Sequence, residues 1–243
     1  MRIGVISDVH ANLEALEAVL AHLDGEAPDQ VVCLGDFVGY GPDPNACVER
    51  LRPRLRAAVL GNHDQAAVGA RPIDDFNLFA QEAIAWTQQA LSEDARAFLA
   101  GLPLRQEVDG LLLVHGSPRQ PVDEYVLHAR TARASFVDQP FQIALVGHTH
   151  QPAVFEESNH RVSTKGLLPG VPFVLRASRR YIINVGSVGQ PRDGDPRAAY
   201  VIFDIEASSA TLHRVTYPIE ETQRKMDAAS LPAPLIARLA EGR

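Results

Sequence analysis

The chain has 243 residues, with 23 Lys and Arg against 30 Asp and Glu, for a formal net charge of −7. Its 46% hydrophobic and 22% charged residues are the composition of a folded globular protein and exclude wholesale disorder. The acidic balance excludes the basic face that binds long nucleic acids, but not a small phosphorylated substrate, because bound cations reverse the local field.

Ile3 to Ile6 reads as a buried strand, and Leu13, Leu16, Leu20 and Leu23 share one face of a following helix. A second strand is predicted from Gln30 to Leu34, then a Gly/Pro loop and a helix from Pro44 to Leu51. Ala57 to Leu60 is a third strand. This alternation predicts parallel strands joined by helical crossovers. Residues 75 to 100 read as strongly helical, with Phe76, Phe79, Ile84, Trp86 and Leu91 available for packing. Leu111 to Val114 and Ile143 to Val146 are strands, with a short helix over 131–137 between them. Beyond Gln151, strand-like runs at 153–155, 173–175, 181–185, 200–203 and 211–215 predict a second, mostly antiparallel sheet packed on the first. Residues 158–172 are expected to be a flexible loop. With no repeat or linker, one domain over residues 1–243 is expected.

Cys33 and Cys47 are the only cysteines, too few for a disulfide framework or a Cys-rich zinc site, and are expected as reduced thiols. The first strand begins at once, leaving no room for a signal peptide, and no apolar run approaches the ~20 residues of a membrane helix. A cytoplasmic protein without membrane contact is therefore expected. A homo-oligomer is compatible with the sequence, which carries no feature that demands one.

Five polar clusters sit where predicted strands stop: Asp8-Val9-His10, Gly35-Asp36, Gly61-Asn62-His63-Asp64, His115-Gly116 and Gly147-His148-Thr149-His150. They hold five of the nine histidines, a concentration that surface decoration does not produce. In parallel sheets ligands gather beyond the carboxyl ends of the strands. Asp, His and Asn are hard or borderline donors, and Asp can bridge two ions. Seven candidate ligands exceed the needs of one four-coordinate ion and suit two ions sharing a carboxylate. Singly the motifs are weak. An Asp-x-His is commonly a helix cap with a polar neighbour, and Gly-Asp is ordinary turn chemistry. All five in this order, each after a strand, are specific.

This ordered set resembles the calcineurin-like metallophosphoesterases. Ser7–Leu13, Gly35–Pro42 and Asn184–Arg192 are similar to a bacterial and archaeal branch described as phosphodiesterase-like or diadenosine-tetraphosphatase-like. The resemblance implies an α+β fold of four layers, α/β/β/α, with two mixed sheets packed as a sandwich and flanked by helices. It implies two divalent metal ions, with Mn²⁺ expected and Fe, Zn, Ni or Co also compatible with the donors. Asp8, His10 and His150 would bind the first ion, Asp36 would bridge, and Asn62, His115 and His148 would complete the second. His63 would donate a proton to the leaving oxygen, with Asp64 orienting its ring, and a metal-bridging hydroxide would be the nucleophile.

The protein Ser/Thr phosphatase branch carries an Arg in its Gly-Asp motif and a Glu at the end of the next. Here Gly39-Tyr40-Gly41 and Asp64 stand in those places, which argues against a phosphoprotein substrate. Arg119 and Arg192 are candidate replacements for the missing Arg, with solvated loop charge as the bland reading. Asn12 either touches substrate or caps the first helix. His22, His128, His160 and His213 have no motif around them and are given no role. The expected function is hydrolysis of phosphodiester or nucleotide pyrophosphate bonds in a small substrate such as a nucleotide or dinucleotide. A phosphoprotein or phosphomonoester phosphatase is the alternative, and a non-catalytic scaffold the lesser one.

Overall fold

The computed structural model describes residues 1–243. Strand β1 (Arg2–Ile6) leads into helix α1 (Leu13–Glu26), β2 (Gln30–Cys33), helix α2 (Pro44–Leu51) and β3 (Leu55–Ala58). These three strands pair in parallel, as the alternation predicts. The expected long helix is two: α4 (Leu78–Ala90) and α5 (Glu93–Ala100), preceded by the short α3 (Asn62–Ala67). Ser92 breaks the run because its side chain accepts from Ala95 N at 3.2 Å, capping α5.

The middle of the chain supplies β4 (Arg105–Val108), β5 (Leu111–Val114), α6 (Ala129–Asp138), β6 (Ile143–Val146), β7 (Ala153–Ser158) and β8 (Arg161–Lys165). Then come β9 (Phe173–Val174), β10 (Arg180–Asn184), β11 (Ala198–Asp204), β12 (Ser209–Val215), and helices α7 (Ile219–Ala228) and α8 (Ala233–Glu241). Two six-stranded sheets result, in the orders β3-β2-β1-β11-β12-β9 and β4-β5-β6-β10-β7-β8. The expected split of the sheets near residue 151 is therefore wrong. Late strand β11 extends the first sheet antiparallel to β1, with β12 antiparallel to β11 in turn, while β5 and β6 belong to the second.

Each sheet mixes parallel and antiparallel pairs, and the two pack face to face. Ile3, Val5 and Val201 of one meet Leu113, Leu145 and Ile183 of the other in one apolar cluster. On the outer face of the first sheet, Leu16, Leu20 and Leu23 of α1 pack with Val48 and Leu51 of α2. Ala132 and Phe136 of α6 cover the outer face of the second. The layer order is helix, sheet, sheet, helix. Within the expected 158–172 loop, residues 161–165 are instead β8, paired antiparallel with β7. Cys33 and Cys47 are buried free thiols. No helix is long and apolar enough to cross a membrane.

Candidate metal centre

The parallel strands deliver the five clusters to one place. Asp8 and His10 follow β1, Asp36 follows β2, and Asn62 and His63 open α3 after β3. From the second sheet, His115 follows β5, while His148 and His150 follow β6. Tight turns aim these side chains back over the strand ends. Asp8, His10, Asp36, His148 and His150 all have positive φ, between 51° and 63°. Non-glycine residues seldom adopt this conformation, and it concentrates at functional sites. Two glycines permit the approach: a Cβ at Gly61 would lie 2.0 Å from Asp36 Oδ1, and one at Gly147 would lie 2.6 Å from Asp8 Oδ2.

Three groups of donor atoms result, each with its members within 4.8 Å of one another: Asp8, His10 and His150; His10, Asp36 and His63; Asp36, His115 and His148. Asp36 belongs to two of them. Its Oδ1 accepts from His63 N at 2.9 Å, whereas its Oδ2 is buried without a hydrogen-bond partner. Asn62 Oδ1 lies 3.0 Å from His115 Nε2. All seven proposed ligands are buried.

The backbone fixes how the rings present themselves. Nδ1 of His10, His115 and His150 donates to the carbonyls of Val38, Leu34 and Gln190 at 3.2, 2.8 and 2.5 Å. His148 is reversed, with Nε2 donating to Asp123 O at 3.1 Å. The other nitrogen of each ring then faces inward, where it offers a lone pair once unprotonated, the arrangement that orients metal-binding imidazoles. His10 Nε2 and His150 Nε2 stand 3.1 Å apart, as do His115 Nε2 and His148 Nδ1. Facing lone pairs repel, and a cation among them reverses the sign. The donors fit divalent metal ions on that ground.

The electrostatics agree. Burial works to lower the His115 pKa, but the Asp36 carboxylate outweighs it and holds the ring at about 9. His148, buried beside His115, drops to about 3. Burial opposes ionisation of Asp8, yet His150 and His115 keep its carboxyl below the usual range. Negative charge therefore persists at the centre, where burial favours the neutral form of His10, His148 and His150 and the two carboxylates hold a proton on His115.

His63 is buried among Tyr40, His10 and Phe76, with ring centroids 4.3, 4.9 and 5.0 Å away. Burial pushes its pKa down to about 4, and the charge of Arg192 adds to this. Asp64 does not orient it. The Asp64 carboxylate accepts from Val38 N at 3.2 Å and Gly61 N at 3.1 Å, and His63 Nδ1 has no partner. With its oxygens spent on two loops, Asp64 holds backbone rather than an imidazole.

Two substrate candidates are hydrogen-bonded within the chain. Asn12 Oδ1 accepts from Ala15 N at 3.1 Å and from Thr222 Oγ1 at 3.0 Å, while its Nδ2 donates to Gly189 O at 2.9 Å. It is the helix cap. Arg119 is committed to Glu124, with Nε donating at 2.8 Å, so its charge is neutralised. Arg192 remains beside the centre, its guanidinium 5.6 Å from the Tyr40 ring centroid.

Asn62, His63 and His148 open onto a cleft of about 240 Å³ that also includes Tyr40, Phe76 and Tyr125. Phe76 precedes α4 rather than lying in it, and Tyr125 stacks on His148 at 3.9 Å. Tyr40 lies inside the Gly35–Pro42 motif, whereas Tyr125 has no motif around it. His22, Glu26 and His213 also converge, although His22 Nδ1 is taken by Tyr200 OH at 2.7 Å and Glu26 by Arg2 at 2.8 Å.

A sandwich of two mixed sheets with an Asp/His/Asn cluster at the strand ends defines a class, and sequence comparison gives the same one. The family profile of the calcineurin-like phosphoesterase superfamily domain matches residues 1–208, and the chain belongs to that family. The crystal structure of a metallophosphoesterase from Sphaerobacter thermophilus is 45% identical and superposes with a TM-score of 0.89, covering 100% of this chain and 99% of that one. An uncharacterised protein of Methanocaldococcus jannaschii is 37% identical, over 99% of this chain and 98% of its own length. A hypothetical protein from Pyrococcus horikoshii, at 20% identity and a TM-score of 0.80, shares the fold, covering 100% of this chain and 98% of its own.

Proposed function

We propose that the chain, acting as one domain over residues 1–243, is a dinuclear-metal phosphoesterase that cleaves phosphodiester or nucleotide pyrophosphate bonds. One observation carries the reading: four imidazoles, fixed by backbone carbonyls, turn their inward nitrogens toward Asp8 and Asp36, and Asp36 Oδ2 is buried without a hydrogen-bond partner. Asp8, His10 and His150 would hold one ion, Asn62, His115 and His148 the other, and Asp36 both. When bound, a pair of Mn²⁺ ions would supply Lewis acidity to the phosphoryl oxygens and activate the attacking water.

The chain's own residues do the rest. Asp8 and Asp36 keep negative charge at the centre, where it holds cations. His63, on the rim of the cleft, is positioned to donate a proton or hydrogen bond to the oxygen that leaves phosphorus. Its low pKa in the buried site makes its protonated form a strong acid, one that a bound phosphate anion would help to populate. Tyr40, Phe76 and Tyr125 shield the centre from bulk water and offer flat apolar surface to a nucleotide.

The test is hydrolysis by metal-stripped protein reconstituted with Mn²⁺. Bis(p-nitrophenyl) phosphate and diadenosine tetraphosphate should be cleaved, both faster than a phosphopeptide. Faster cleavage of the phosphopeptide would replace this reading with a phosphoprotein phosphatase, and silence on all three would overturn it.

A further inference from the structure

We propose that Arg192 and Arg238, gathered on the side-chain oxygen of Gln190, form a subsite for a second phosphate group of the substrate, beyond the phosphorus under attack. This rests on the phosphoesterase reading and narrows it to substrates with more than one phosphate.

Gln190 is 1% exposed, and its two ends face different tasks. Its backbone carbonyl accepts from His150 Nδ1 at 2.5 Å, which ties it to the candidate metal centre. Its Oε1 accepts from Arg192 Nη2 at 2.7 Å and from Arg238 Nη1 at 3.2 Å. One neutral oxygen thus holds two cations side by side. Gln190 Nε2 is itself buried without a partner, so the amide is set for the arginines and not for its own satisfaction.

Neither guanidinium has a carboxylate. Arg71, Arg119 and Arg214, by contrast, each lie on an acid. Arg192 and Arg238 are part-buried and repel each other, and burial together with the Arg192 charge lowers the Arg238 pKa. Two like charges kept together without a counterion are stabilised by an anion, and the planar guanidinium fork matches phosphate oxygens.

The pair is rigidly presented beside the reacting groups. Both guanidiniums flank Tyr40, at 5.6 and 6.0 Å from its ring centroid. The Tyr40 ring is in turn 4.3 Å from that of His63 and 4.6 Å from that of His10. Helix α8 presents Arg238, and its Leu235 and Leu239 pack in the same apolar cluster as Tyr40. Gly194 N donates to Gly242 O at 3.0 Å, which ties the Arg192 loop to the end of α8.

The test compares Arg238→Gln and Arg192→Gln with wild type in two assays. Titration calorimetry of metal-stripped protein with inorganic tripolyphosphate should show binding that either variant weakens roughly ten- to hundredfold, the loss of one charge-assisted hydrogen bond. In Mn²⁺-loaded protein, the ratio of KM for diadenosine tetraphosphate to KM for bis(p-nitrophenyl) phosphate should rise by a similar factor. Tripolyphosphate binding that is absent from wild type or unaltered by both substitutions would overturn the subsite, as would an unchanged KM ratio. If wild type cleaves neither ester, the phosphoesterase reading fails, and the calorimetry still decides the subsite separately.

Discussion

At the scale of single residues, His63 and Asp64 are neighbours with different work. His63→Ala should lower kcat by roughly 10²–10⁴, the usual contribution of a general acid, while metal content stays intact. Loss of metal would mean that the ring is a ligand. Asp64→Asn should act on stability instead. An amide oxygen can serve only one of the Val38 and Gly61 amides, and leaving the other unsatisfied costs about 1–3 kcal/mol. A fall in kcat like that of His63→Ala, at unchanged Tm, would show that Asp64 acts on the imidazole after all. Asp8, His10, Asp36, Asn62, His115, His148 and His150 were legible as a set, because five polar clusters, each weak alone, follow apolar strands in one order. The Asp64 contacts were not, since a carboxylate that holds backbone amides and one that holds a ring look alike in a motif. Arg238 was invisible for a related reason: it lies far along the chain, on a helix with no pattern around it.

At the scale of elements, the strands that carry the site were readable, whereas the edge strands β4 (Arg105–Val108) and β8 (Arg161–Lys165) were not. β1, β5 and β6 are nearly continuous apolar runs because both their faces are covered. β8 (Arg161–Lys165) is almost wholly exposed at the border of its sheet, so its residues carry no apolar alternation. Helix α1 begins where Asn12 caps it, and the cap also grips Gly189 and Thr222 across the chain. Asn12→Ala should therefore destabilise the fold by about 0.5–2 kcal/mol as a lost cap, with the buried Gly189 carbonyl adding to that. Thermal unfolding measures it. A higher KM at unchanged Tm would instead make Asn12 a substrate contact.

At the scale of the whole molecule, chain order and sheet order part company. Periodicity marks β11 (Ala198–Asp204) as a strand, but only the packed structure puts it between β1 and β12, opposite β5 and β6. Local pattern does not encode which of two apolar faces a late strand joins. The consequence is functional, because the sandwich seam brings the ends of β1, β2 and β3 against those of β5 and β6. Metal ions held across that seam would join the sheets. Mn²⁺ at a hundredfold its Kd should raise stability by about 2.7 kcal/mol for one site, and EDTA should reverse the gain. A Tm indifferent to both would contradict a cation shared between the sheets.

The central claim is that Asp36 lies between two ions, and counting metal tests it most directly. Mn²⁺-reconstituted protein, freed of excess ion, should hold two ions per chain, and Asp36→Asn should lower occupancy of both sites together. Two ions retained by Asp36→Asn at unchanged affinity, or a single ion in the wild type, would contradict the dinuclear centre.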